Sequence, residues 1–455
     1  MIEQSQSDTT LPLVARVTCP HCWSQFPPED ILWIAEHSDL MGSPRLGSDH
    51  TQRFLPTRFT VDGAALDARG VACYRLACPK CHLELPRALL EMPPEFISVL
   101  GGPSCGKSYL LAAMVWRARS VMLKSLKLSF DDADPALNQR VSEYVASQFL
   151  NPNRDQVVAL AKTEEQGDLY NTVQYGDENV TYPRPFMFTV RPTAEPPKGK
   201  SGGRVLCVYD NAGESFLPGQ DVAARPVTRH LARSSAMLFC FDPTQDTRFR
   251  RACRGRTEDP QMAERQGLLD REHPTSQTAI LSEAANRVRR YVGLSHNERH
   301  KRPLFVIVTK FDSWARLLKH PNLPRPLVQT DLLPMAALDV DVIGRISATV
   351  RELLWRLCPE VVSVAEGFAK QVTYIPVSAT GCAPEVDAQT GALGFRPHRV
   401  KPIWAEVPLI CAMAQWTRLV EKVERRKPRP HLAALGETNG NHDRQEPDSP
   451  AAEAS

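Results

Sequence analysis

Several absences narrow this sequence before any motif is read. No apolar run approaches the ~20 residues needed to cross a bilayer. The N-terminal stretch, MIEQSQSDTTLPL, lacks a basic segment followed by an apolar one, so nothing in it reads as a secretion signal. An excess of one charge is missing too: 24% of residues are charged and the formal net charge is only +3. Nucleic-acid-binding domains usually declare themselves with a concentrated basic face, and none is visible. Aromatics are sparse at 7%. They do not interleave with Arg69, Arg75 and Lys80 as a base-stacking platform requires. Twelve cysteines in 455 residues are far too dilute for a secreted disulfide scaffold. Internal repeats are lacking as well. These exclusions predict a soluble cytoplasmic protein without a membrane span, long enough for two or three domains.

Four of the cysteines come as tight pairs, in TCPHCW (18–23) and ACPKCH (77–82). Two residues between thiols let one turn aim both sulfurs at one ion, and two such turns complete a tetrahedral site. Cys19, Cys22, Cys78 and Cys81 are therefore the expected zinc ligands. Four thiolates leave no open position, so the role is structural. His21, Cys73 and His82 are alternative ligands, although the histidines are more simply read as solvated knuckle residues. A redox C-x-x-C is the competing reading, but two matching Pro-containing knuckles suit metal better. The pattern looks like a zinc ribbon with a long insertion, assigned here to residues 1–92. Its expected partner is protein; nucleic acid is not indicated.

From Phe96 the texture changes. Short apolar runs, FISVL (96–100), PFMFTV (185–190), RVLCVY (204–209), AMLFCF (236–241), PLFVIV (303–308) and VTYIPV (372–377), alternate with amphipathic stretches. Several runs lack alternation, as strands buried on both faces do. Helical spacing links Leu110, Leu111, Met114, Val115 and Ala118. It also links Leu281, Ala284, Val288 and Tyr291; Ile343, Ile346, Val350, Leu353 and Leu357; and Ile410, Met413, Trp416, Leu419 and Val423. This predicts an α/β domain over 93–427, a doubly wound, mostly parallel sheet with flanking helices. Polar or Pro-rich stretches at 131–184, 243–279 and 316–337 read as surface insertions. Residues 428–455 have too little apolar surface to order themselves.

GGPSCGKS (101–108) follows the first strand and opens the first helix, and fits the phosphate-binding pattern G-x-x-x-x-G-K-[ST]. Glycines let backbone N–H groups turn toward phosphates without Cβ clashes. Gly101, Gly102, Pro103, Ser104, Cys105 and Gly106 form that cradle. Lys107 supplies an ammonium for the β- and γ-phosphates, and Ser108 a hydroxyl for Mg²⁺. The helix N-terminus adds partial positive charge. YDNAGES follows the strand RVLCVY, with Asp210 placed to hold Mg²⁺ and Gly213 to offer its N–H to the γ-phosphate. VTKFD (308–312) and VSAT (377–380) each follow a further strand.

These motifs, in type, order and position, resemble the Ras-like and translation-factor-like P-loop GTPases over residues 95–427. The resemblance implies that Asp312 accepts hydrogen bonds from guanine, that Thr309 and Lys310 shape the loop with the lysine along the base, and that Ser378 and Ala379 face the guanine carbonyl. A carboxylate suits the two donors of guanine, whereas adenine presents an acceptor there. Where the family often has a water-orienting glutamine, this chain has Glu214, which implies slow intrinsic hydrolysis without a partner. The role of Asn211 is open. The switch I threonine is Thr172 or Thr181. Effector or regulatory proteins are expected at the switches, the insertions and the ribbon. Large inserts with an appended ribbon are similar to GTPase components of bacterial multi-protein systems, including conflict and defence systems. A P-loop ATPase regulatory domain and a scaffold that binds GTP without hydrolysing it are the alternatives.

Overall fold

The structure is a computed structural model that describes residues 13–160, 170–194, 202–210, 229–262, 277–330, 333–387, 391 and 393–424. Its central feature is a seven-stranded mixed sheet, whose strands are numbered here in chain order. They are β1 (Pro94–Gly101), β2 (Leu128–Asp132), β3 (Phe186–Pro192), β4 (Arg204–Asp210), β5 (Ala236–Phe241), β6 (Leu304–Val308) and β7 (Val372–Pro376). The spatial order is β2-β3-β4-β1-β5-β6-β7. The pairings from β4 to β7 are parallel, while β3 runs antiparallel to β4 and β2 antiparallel to β3.

All six apolar runs read from the sequence lie in this sheet, and β2 escapes that reading. LSFDD is short, ends in two carboxylates and sits at an edge, so its apolar signal is weak. PFMFTV also departs from a simple parallel reading. β3 is antiparallel yet buried at its first five positions, because another layer covers its far face.

Among the described residues, six longer helices surround the sheet. They are α1 (Lys107–Val121), α2 (Gln139–Phe149), α3 (Gln277–Val292), α4 (Val340–Leu357), α5 (Pro359–Phe368) and α6 (Val407–Trp416). No helix among these residues is long and apolar enough to cross a membrane. Side chains alternate between faces along each strand. Leu238 and Cys240 of β5 and Phe305 and Ile307 of β6 pack with α1, α2 and α6. Phe239 and Phe241, with Val306 and Val308, pack with α3, α5 and the later turns of α4. Over β3 and β4 the cover of that second face is different. Met187, Val205, Cys207 and Tyr209 pack against Trp23, Phe26, Leu76 and Leu85 of the N-terminal unit.

That unit is built from very short strands. Val17–Thr18 pairs with Gln25–Phe26, and Leu76–Ala77 with Glu84–Leu85, one hairpin around each cysteine pair. Leu32–Ile34 and Arg53–Phe54, from the intervening stretch, complete a four-stranded sheet with the second hairpin.

Three expectations need correction. The stretch 131–184 is not only surface insertion: α2 buries Val141, Tyr144 and Val145 against α1, at helical spacing. Within 316–337, Leu327–Val328 pairs with Ala337–Asp339, which also takes up Lys422–Val423. The last helix stops at Trp416, so Leu419 and Val423 do not continue it; Thr417 turns away and Val423 is in that small sheet. Residues 428–455 lie outside the described residues.

Candidate functional site

The two cysteine turns have the same local construction. Cys19 N–H donates to Ser24 O and Cys78 N–H to Leu83 O, at 2.9 and 3.0 Å. Within each turn a backbone N–H points at the first sulfur: His21 N to Cys19 Sγ and Lys80 N to Cys78 Sγ, both 3.4 Å. Trp23 and His82, each placed directly after the second cysteine, both adopt left-handed backbone, with φ of 58° and 62°. The turns bring Cys19 Sγ within 3.7 Å of Cys81 Sγ, and Cys22 Sγ within 3.7 Å of Cys78 Sγ. All four sulfurs lie within 4.8 Å of one another. Sulfurs held at ~2.3 Å from a tetrahedral zinc ion stand about 3.8 Å apart, so the set is compatible with zinc. Burial pushes the Cys19 and Cys81 thiols up, while hydrogen bonds from neighbouring thiols hold Cys22 well below the usual value. Four thiols crowded this way share their protons, and a divalent cation can replace them.

The alternative ligands fall outside the cluster. His21 Nε2 contacts Glu84 O at 3.2 Å, and burial lowers its pKa to about 4. Cys73 Sγ donates to Val71 O at 3.4 Å, and His82 Nδ1 meets Ser43 Oγ at 3.1 Å. A second grouping, Asp246, Cys358 and Glu360, already holds the Arg248 guanidinium, which pairs with both carboxylates.

The second candidate region gathers at the carboxyl ends of the parallel strands, the edge where open α/β sheets bind ligands. β1 ends at Gly101, whose φ of 152° and lack of a Cβ are both required. A Cβ there would stand 2.7 Å from Cys240 O and 2.9 Å from Cys105 Sγ. Ser104 at φ 57° and Gly106 at φ 91° turn the loop into α1. Lys107, nearly buried, folds back so that Nζ donates to Gly101 O and Gly102 O at 3.0 and 2.9 Å. Pro103 and Ser104 are exposed, and Gly106 and Ser108 are half-buried at the rim. Cys105 is buried; a hydrogen bond from Cys240, with the Lys107 ammonium nearby, brings its thiol down to about 7.

The other loops are tied to this one. Thr309, just after β6, donates through Oγ1 to Cys105 O at 3.2 Å and Phe241 O at 3.1 Å. Lys310, at φ 54°, reaches Asp242 Oδ2 at 2.6 Å and Thr244 Oγ1 at 2.9 Å. Asp312 accepts from Ser378 Oγ at 2.5 Å, and Gly381 N–H donates to that same hydroxyl oxygen at 2.7 Å. Burial raises the Asp312 pKa above the usual carboxylate range, with the Ser378 bond opposing it. Ala379 is half-buried beside Ser378. Asp210 is the last residue of β4, opposite Val99 in register. Asn211, Gly213 and Glu214 lie outside the described residues.

Thr172 and Thr181 face each other across a hairpin, Tyr170–Tyr175 against Glu178–Pro183, with their hydroxyls 3.5 Å apart. The hairpin packs on the four-cysteine unit. Trp23 meets Tyr182 edge-on at 6.0 Å, and Gln174 N–H donates to Arg45 O at 2.8 Å.

Sequence reasoning missed Asp242 and Tyr209. Asp242 is fully buried and, besides Lys310, accepts from Thr244 N and Oγ1. Its signal was present in FDPT: a carboxylate directly after a buried strand reads as a cap for the next turn, and here it serves the lysine as well. Tyr209 looked like one more apolar residue of β4.

Comparison with known protein families and with curated proteins finds no match. Chemically, the four-cysteine cluster can hold a metal ion. The strand-end loops combine a glycine loop, two lysines, three carboxylates and several hydroxyls on one edge.

Proposed function

We propose that this chain is a guanine-nucleotide-binding switch of the Ras-like P-loop type that hydrolyses GTP with Mg²⁺, with zinc in the four-cysteine cluster. The observation that carries the reading is the convergence of residues 101–108, Asp210, 309–312 and 378–379 on one edge of the parallel sheet. The loop after β1 has the strained glycine and the left-handed turns that a phosphate cradle needs. Asp312, braced by Ser378, is an acceptor that favours guanine over adenine.

Ser108 and Asp210 are the residues to hold the magnesium ion, which neutralises charge on the phosphates. Water attacks the γ-phosphorus in line as the bond from that phosphorus to the β-phosphate bridging oxygen breaks; GDP leaves, the attacking water becomes part of inorganic phosphate, and its proton passes to solvent. Lys107 remains charged throughout and stabilises the developing negative charge. Glu214 is the candidate for orienting the water, and hydrolysis is slow until a partner protein docks. The hairpin bearing Thr172 and Thr181, together with the four-cysteine unit beneath it, offers the surface for that partner.

The test is direct titration with mant-GTP and mant-ATP in Mg²⁺. GTP binds more tightly, and Asp312→Asn shifts preference toward xanthosine nucleotides, because its amide donates where the carboxylate accepted. A preference for ATP overturns the base assignment. Single-turnover phosphate release drops by about 10²–10³ in Lys107→Ala. Metal analysis finds about one zinc per chain, lost when all four cysteines become serine.

A further inference from the structure

Tyr209 occupies an unusual junction. It is the penultimate residue of β4, directly before Asp210, yet its side chain belongs to the four-cysteine unit. Its hydroxyl donates to Pro20 O at 2.5 Å, inside the first cysteine turn, and accepts from Trp23 Nε1 at 3.1 Å, directly after Cys22. Both bonds are buried, and both span more than 180 residues of sequence. The ring of Tyr209 stacks on His230 at 4.3 Å and 13°. His230 Nδ1 lies 2.6 Å from Ser98 Oγ, and Ser98 is the residue opposite Tyr209 on β1, three residues before Gly101. A continuous set of buried contacts therefore runs from the metal turn, through the strand end bearing Asp210, to the strand that launches the glycine loop.

Packing alone does not require this arrangement. A phenylalanine would fill the same space over Phe96 and Trp23. The hydroxyl adds direction, because it meets a backbone oxygen and an indole N–H of the 19–23 segment, the turn that carries two of the four clustered sulfurs. Within the turn His21 N–H points at Cys19 Sγ and Trp23 N–H donates to Cys19 O, so the place of Pro20 O is tied to the place of the first sulfur.

We propose that the four-cysteine unit is a metal-dependent clamp on the nucleotide site, with Tyr209 as the positioning residue: metal binding fixes the first cysteine turn, the turn fixes Tyr209, and Tyr209 fixes the end of β4 and Asp210. The inference rests on the nucleotide reading above. Its consequence is linkage. If zinc pre-orders Asp210 for Mg²⁺ and GTP, zinc tightens GTP binding, and GTP tightens zinc binding by the same factor.

The experiment uses the full chain. Zinc affinity is measured by competition with a zinc-selective chelator, with Mg²⁺ present throughout and GTP present or absent. Mant-GTP affinity is measured on zinc-loaded and zinc-depleted protein. The expected factor is about 5-fold or more and equal in both directions. Tyr209→Phe keeps the ring and lowers the factor toward one, while still binding zinc and mant-GTP. Trp23→Phe leaves the Tyr209–Pro20 bond in place and lowers the factor partway; it carries the test if Tyr209→Phe does not fold. A merely structural tyrosine would change both affinities and leave their ratio alone. Nucleotide binding with a factor of one or below in the wild type overturns the clamp and leaves the nucleotide reading standing. An unchanged factor in both variants overturns the role of Tyr209. Failure of the zinc-loaded protein to bind mant-GTP overturns the nucleotide reading, and the clamp with it.

Discussion

The face of the sheet turned away from α1 is covered in two unlike ways. Over β5, β6 and β7 lie α3, α4 and α5, of 16, 18 and 10 residues. Each satisfies its own backbone and brings a ready apolar stripe: Leu281 and Val288, Leu353 and Leu354, Val361 and Phe368. Over β3 and β4 lies the four-cysteine unit, whose strands run from two to five residues. Such strands make few ladder bonds, and a loop-rich unit with a small core needs a staple. The helical half is held by burial of apolar surface; the other half adds to a smaller apolar cluster four sulfurs that can hold a metal ion. The half that carries the sulfurs is also the half whose strand end bears Asp210.

Removing the metal separates the two covers most sharply. Structural zinc contributes roughly 10–16 kcal/mol of apparent binding energy in small zinc modules, more than any single core contact here. A strong chelator, or Cys78→Ser with Cys81→Ser, will unfold the N-terminal unit and bare Met187, Val205 and Cys207. Hydrogen exchange should then lose protection in β3 well before β6. Equal protection in both strands would mean that the unit is ornamental to the sheet. A cavity in the helical cover is the matched perturbation. Leu354→Ala deletes a fully buried side chain and should cost about 2–5 kcal/mol in urea unfolding. Zinc content should stay at about one per chain, because no sulfur depends on α4.

The two covers also differ in how far the sequence disclosed them. The stripes of α3 and α4 were readable because 3.6-residue spacing repeats over several turns. The cysteine spacing disclosed the four-sulfur cluster, since two knuckles of C-P-x-C leave little choice of geometry. The joint between the ligands and the sheet was not readable. Trp23, Phe26 and Tyr209 carry no local periodicity, and their partners lie far away in the chain. Edge elements failed for a related reason: β2 has too few apolar residues, and α2 sat within a stretch whose overall polarity hid Val141, Tyr144 and Val145. In the glycine loop the residue types were legible. The bracing of Lys310 by Asp242 and of Asp312 by Ser378 depends on strand ends that meet only in the folded sheet.

The smallest expected effect tests whether the helical cover responds to acid. Its edge carries His300, buried and stacked on Phe368 at 5.5 Å and 8°. Burial lowers its pKa in the folded chain below the ordinary value of 6.5. The unfolded chain therefore takes up a proton first as the pH falls. The neutral ring's contribution is fully present above pH ~6.5 and declines below it, until the folded-state pKa is reached. His300→Phe keeps a ring against Phe368 and removes the titration. Between about pH 7 and pH 5 the urea midpoint of the wild type should fall more than that of the variant. Matching slopes would show that His300 stays neutral in both states or charges in both.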